Sequence, residues 1–169
     1  MKTLWLDLEQ KLRTFSPELH QDLNSPATDK EIQELETIIG SRLPLDFIEC
    51  LQIHNGQKGN TIGLFDGLEF MSCQRIAAEW QIWKQLLDNQ DFNGLMSTPD
   101  PAIRNDWWNP LWIPFTYDGS GNHLCIDLVP SSAGISGQII SLYHDDATRK
   151  KVADNFTQWF SAFTDSINC

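Results

Sequence analysis

Apolar residues at the start of the chain recur with helical spacing. Leu4, Trp5, Leu8, Leu12 and Phe15 fall on one side of a 3.6-residue repeat that ends before Pro17. A loop at Asn24-Ser25-Pro26 leads into Thr28-Asp29-Lys30-Glu31, a capping box in which the Thr hydroxyl and the Glu carboxylate satisfy free amides at a helix start. Ile32, Leu35, Ile38 and Ile39 form the buried stripe of that helix, and Gly40 stops it in a left-handed conformation. Pro44 suits the first turn of the next helix, whose stripe is Phe47, Ile48 and Leu51 and which Asn55-Gly56 closes. From Gly63 to Met71 the pattern becomes that of a strand bent at Asp66-Gly67. Ser72 then caps a helix in which Ile76, Trp80, Trp83 and Leu87 build an aromatic face. Asp88 to Asn109 is polar and proline-bearing, and predicts one long loop of the kind that carries function.

The second half alternates. Trp112–Tyr117 predicts a strand with Pro114 at an edge or irregular position, and Asp118-Gly119-Ser120-Gly121 a hairpin turn. In Asn122–Leu128, Leu124, Ile126 and Leu128 alternate with His123, Cys125 and Asp127, the period of a sheet with one apolar face. Gly137–His144 is the next strand. An antiparallel register with Ile126 opposite Ile140 and Leu124 opposite Leu142 keeps the apolar residues together and sets His123 beside Tyr143 and Cys125 beside Ser141. A helix from about Asp154 closes the chain with Phe156, Trp159, Phe160 and Phe163.

With 169 residues, 41% of them hydrophobic, the chain predicts one folded domain and not an acidic disordered tail. The 12 Lys+Arg against 23 Asp+Glu give a formal net charge of −11, which argues against direct binding to nucleic acid or an anionic membrane. A basic partner fits it. Asp7 and Glu9 interrupt the apolar run that an export signal needs, and no 18-residue apolar stretch occurs, so the sequence predicts a cytoplasmic protein without a membrane span. Cys50, Cys73, Cys125 and Cys169 are scattered, as reduced core thiols are. Asn155-Phe156-Thr157 matches a glycosylation sequon, which has no use without export.

Motifs for nucleotide binding, serine hydrolysis and metal proteolysis are missing from the sequence. His123 and Asp127 share a strand face, but four residues of strand put roughly 13 Å between them, too far for a base and its orienting carboxylate. His144-Asp145-Asp146 has the donor types of a metal site and equally the composition of a turn and helix cap. The glycines of the Asp118–Gly121 turn let backbone amides approach an anion, but a hairpin turn explains them as well. Trp107 and Trp108 stand just before Trp112, and three Trp within six residues exceed what one strand face buries. One exposed Trp would make an anchor for a partner. The sequence thus calls for no catalytic residue, cofactor or metal.

Taken in order, several of these features resemble the SUKH superfamily, which includes the yeast Smi/Knr-type cell-wall assembly regulators and many bacterial immunity proteins. The resemblance rests on the capped helix with Ile32 and Leu35, Leu43-Pro44, Asn55-Gly56, Trp112-Ile113-Pro114-Phe115, Asp118-Gly119-Ser120-Gly121 and Leu124–Leu128. It continues through Pro130, Gly137-Gln138-Ile139-Ile140, His144-Asp145 and the aromatic last helix. Asn122 and Val129 depart from it, standing where acids are expected. It implies an α+β fold, a mostly antiparallel sheet flanked by N-terminal helices and a C-terminal helix, and it implies binding in place of catalysis. The first functional expectation is a cytoplasmic immunity protein that neutralises a basic toxin domain, such as a nuclease. It would use Asp118, Asp127, Asp145 and Asp146 for charge and Trp107 and Trp108 as apolar anchors. The alternative is a regulatory scaffold in cell-wall assembly or signalling. A hydrolase or metal enzyme using His123, His144 and Asp145 is the third reading.

Overall fold

The computed structural model describes residues 1–167. In chain order the elements are α1 (Lys2–Phe15), α2 (Pro17–Asp22), α3 (Asp29–Ile39), α4 (Leu45–Leu51), β1 (Glu69–Phe70), α5 (Cys73–Asp88) and β2 (Thr98–Pro99). They continue with β3 (Trp112–Pro114), β4 (Thr116–Tyr117), β5 (His123–Asp127), β6 (Gln138–Leu142), β7 (Thr148–Arg149), β8 (Lys151–Ala153) and α6 (Phe156–Ser166). The main sheet has the order β3-β5-β6-β8 and is antiparallel throughout. Two small pairs flank it, β1 with β4 antiparallel and β2 with β7 parallel. This is an α+β fold.

The helix starts follow from local chemistry. Thr28 Oγ1 accepts from the Glu31 amide while Glu31 Oε2 accepts from the Thr28 amide, so the capping box forms as the sequence predicts. Gly40 ends α3 at φ +70°. Ser72 caps α5 and Asn155 caps α6, each accepting from the amide three residues on. Pro44 lies one residue before the first turn of α4, at its N-cap. In α1 the buried stripe is Trp5, Leu8 and Leu12; Phe15 at the helix end is half exposed.

Several expectations change. Gly63–Met71 is not one strand: its first part is a tight turn with bridges Gly63–Gly67 and Phe65–Leu68, and only Glu69–Phe70 pairs, with β4. A Cβ on Gly63 would lie 2.1 Å from the Leu68 carbonyl carbon, so the turn closes only on glycine. Trp112–Tyr117 breaks at Phe115 into β3 and β4. Pro114 sits on β3, an edge strand. The β5/β6 register is one residue away from the predicted one: Ile126 faces Ile139, Cys125 faces Ile140 and His123 faces Leu142. The prediction took one face to be apolar, whereas both are covered. Trp83 of α5 donates to His123 on one face, and Leu124 on the other lines a cleft with Trp159 and Phe163 of α6. Every residue of β6 is buried, so the alternation that would specify register is absent.

The core joins the two halves through aromatic rings. Phe65, Phe70, Phe115, Phe156 and Phe160 are at most 2% exposed, and they pack with Trp5, Phe47 and Trp159 at centroid separations of 4.8–6.2 Å. Each such ring contributes roughly 1.5–3 kcal/mol by leaving water. Cys50, Cys73 and Cys125 are buried free thiols, as predicted; Cys169 lies outside the described residues.

Candidate partner-binding surface

Of the six residues picked from the sequence, two lie inside the molecule. Trp108 is 3% exposed and stacks on Trp83, with centroids 6.1 Å apart. Asp127 is fully buried and accepts from Gln138 Nε2 at 2.8 Å and from the Val129 amide at 2.9 Å. Burial pushes its carboxyl above the usual range, against those hydrogen bonds. Neither residue reaches a partner, and both readings are corrected. Asp127 ties the end of β5 to β6, and Trp108 packs against Trp80 and Trp83 of α5.

The other four fall into two linked pairs. Asp118 accepts four hydrogen bonds within its own turn, from the amides and side chains of Ser120 and Asn122. Desolvation alone would raise this carboxyl; the four donors outweigh it and bring it down to about 2. The Asn122 side chain also accepts from the His144 amide and contacts its Nδ1 at 2.9 Å, which brings the turn against His144, the neighbour in sequence of exposed Asp145. Asn122, one of the departures from the family pattern, is thus the clasp between two strand ends.

Trp107 and Asp146 meet through Arg149. This arginine is fully buried, its Nη atoms donate to the carbonyls of Asp146, Thr148 and Trp107, and its guanidinium lies 5.1 Å from the Trp107 ring centroid. Desolvation pulls it down to about 10. Trp107 is therefore half-buried as the lid of a buried cation. The Asp146 carboxylate accepts from the Thr148 amide and stays fully solvated, leaving it and Asp145 as the acids this end offers.

His123 is committed to structure too. Its Nδ1 contacts the Thr116 carbonyl at 2.7 Å and its Nε2 faces the Trp83 indole N–H at 3.1 Å, so the ring is a neutral donor–acceptor clamp. Burial lowers its pKa, and Glu79 at 4.0 Å does not offset that. No group of three or more His, Cys, Asp or Glu among the described residues is arranged to hold a metal ion.

A concavity lies elsewhere. It is an open cleft of about 710 Å³ between the 63–68 turn, β8 and α6, with Leu68, Leu124, Trp159 and Phe163 in its apolar lining. A shallower trough continues along α6, sharing Asp154, Gln158 and Ala162 with it and ending at Asp165. Three stretches far apart in sequence, 65–68, 124 and 151–165, supply these walls, which is why no local pattern announced them. Val152, 46% exposed at a bulge in β8, adds an apolar side chain to this surface.

Residues 26–162 match the model of the SMI1 / KNR4 family (SUKH-1). The chain belongs to this family. Among SMI1/KNR4 relatives, it is 26% identical over 202 aligned positions to the glucan synthesis regulatory protein of Neurospora crassa, covering 97% of this chain and 38% of the relative. It is 24% identical to the cell wall assembly regulator SMI1 of Saccharomyces cerevisiae, over 96% of this chain and 39% of that protein. It is 29% identical to the cell wall biosynthesis/cell cycle regulator smi1 of Schizosaccharomyces pombe, over 85% and 31%. The chain thus spans less than two fifths of the length of these relatives. The SMI1/KNR4 match starts just before α3 and runs into α6, so it takes in the 63–68 turn, β8 and most of the cleft. No helix among the described residues is long and apolar enough to cross a membrane.

Proposed function

We propose that this chain is a non-catalytic protein-binding module that works as a regulatory scaffold in cell-wall assembly or signalling. The observation that carries the reading is the family match over 26–162 together with relatives named as regulators of glucan synthesis and cell-wall assembly. The site chemistry agrees with it. His123, Asp118, Asp127 and Arg149, the groups that chemistry would recruit, are each engaged in holding strands and turns together.

The immunity reading, a module that occludes a basic toxin domain, shares the same requirement for a positively charged protein. It is favoured by the net charge of −11, which speeds encounter with a basic surface and does so less as salt rises. The names of the relatives favour the scaffold. Affinity purification of the tagged chain from its own cells, followed by mass spectrometry at low and high salt, separates the two. Recovery of wall-synthesis or signalling proteins supports the scaffold, recovery of a multidomain toxin supports immunity, and recovery of no specific protein refutes both.

A further inference from the structure

We infer that the cleft between the 63–68 turn, β8 and α6 docks an extended segment of a partner protein, one with apolar side chains flanked by Lys or Arg. The inference rests on the protein-binding reading and deepens it.

The surface is apolar where it is concave. Trp159 and Phe163 keep 9% and 8% exposure, and they line the cleft beside half-buried Leu68 and Leu124 and exposed Val152. The lining of the concavity is more apolar than polar, the usual character of a binding pocket. The walls are also built to shape. Asp66 and Gly67 both take positive φ, 54° and 90°, and Gly63 packs against the Leu68 backbone, which together hold Phe65 and Leu68 in place.

Shape and charge select the occupant. The cleft is open and runs on past Asp154 along α6, which suits a length of chain better than an enclosed small molecule. One wall is β8, the last strand in the order β3-β5-β6-β8. Asp100 covers the Lys151 amide, and beyond that point no strand among the described residues lies against its outer edge. An extended segment is the partner that a sheet edge accepts. The lining carries the exposed acids Asp66, Asp154 and Asp165, and the lining cation, Lys151, is paired with Asp154. Asp66 on one half and Asp165 on the other are left as net negative charge, so basic residues flanking an apolar core are matched and acidic ones repelled.

The test is selection of displayed random peptides of about a dozen residues on the full chain, followed by fluorescence anisotropy with the best synthetic peptide. Enriched sequences are expected to join Lys or Arg to aromatic or aliphatic residues. Ala162→Trp, which fills the trough from an exposed position, weakens binding about tenfold or more. Asp165→Lys, on the exposed side of α6, weakens it about threefold, and raised salt removes that difference. Should Ala162→Trp alter the fold by circular dichroism, Asp165→Lys alone decides. Failure to enrich any sequence, enrichment of acidic peptides, or peptides indifferent to the variants overturns the inference. Indifferent peptides leave the protein-binding reading standing, since they bind the chain elsewhere. That reading falls only if partner purification recovers nothing.

Discussion

Gln57 is the polar centre of the region that forms one wall of the cleft, and its removal has a calculable cost. The side chain is 4% exposed. Its Oε1 accepts from the amides of Leu64 and Phe70, each at 2.9 Å, and its Nε2 donates to Asp22 Oδ2 at 3.0 Å and to the Ile62 carbonyl at 3.1 Å. Asp22, itself buried, further accepts from the Gly59 and Asn60 amides and from Thr61. Gln57→Ala deletes four hydrogen bonds and leaves two inward-facing amides without acceptors. At about 1–3 kcal/mol for each of the two buried orphans, the expected loss is about 2–6 kcal/mol. Equilibrium urea unfolding measures it as a fall in midpoint at unchanged slope. Gln10→Ala, on the exposed face of α1, is the control and stays within about 0.5 kcal/mol. A double-mutant cycle with Asp22→Ala gives a coupling of about 0.5–3 kcal/mol, because the two residues share one network. Hydrogen exchange in the variant speeds first at residues 57–70. A loss below about 1 kcal/mol, or additive effects of Gln57 and Asp22, refutes the assignment of this network as the support of the wall.

Trp108→Ala, which removes a core ring stacked on Trp83, costs about 3–5 kcal/mol in the same assay, whereas an anchor on the surface would leave stability unchanged. Acid weakens the fold through His123. Its folded pKa is depressed, so below the unfolded value near 6.5 the unfolded chain binds the proton first, and stability falls by up to about 1.4 kcal/mol per pH unit as pH drops from there. Unfolding midpoints at pH 7.5 and 5.5 show this, and His123→Phe flattens the dependence. Cys50, Cys73 and Cys125 resist iodoacetamide in the native protein and react in denaturant, as mass spectrometry after labelling shows. Burial removes access and raises each thiol, Cys73 to about 12.

Sequence pattern reached far where it is local. The Thr28–Glu31 capping box, the Gly40 stop, and the stripes of α3, α5 and α6 depend on neighbours within a turn or two and are legible there, except that Ile38, expected in the buried stripe of α3, is 39% exposed and Glu36 is buried in that helix. Elements whose stability is tertiary escaped it. Helix α2 is six residues long with Pro17 as its first, too short to show a periodic stripe, and β7 and β8 run through Thr148-Arg149-Lys150-Lys151, whose charge hides a strand. Arg149 sits inside because three carbonyls and the Trp107 ring receive it, a set that exists only after folding. Acidity misled in one place for the same reason: Asp127 reads as surface charge, yet Gln138, eleven residues on, takes it into the core. The candidate surface was illegible as a whole, since residues 65–68, 124, 151–154 and 158–163 become neighbours only through the β5-β6-β8 sheet and the packing of α6.

The most direct measurement is hydrogen–deuterium exchange on the chain alone and in complex with the protein recovered from its own cells. Slowed exchange at residues 63–68 and 151–165, reduced by raised salt and by Ala162→Trp, is the result predicted. Protection confined to 98–109 and 144–149, with the cleft unchanged, contradicts the account.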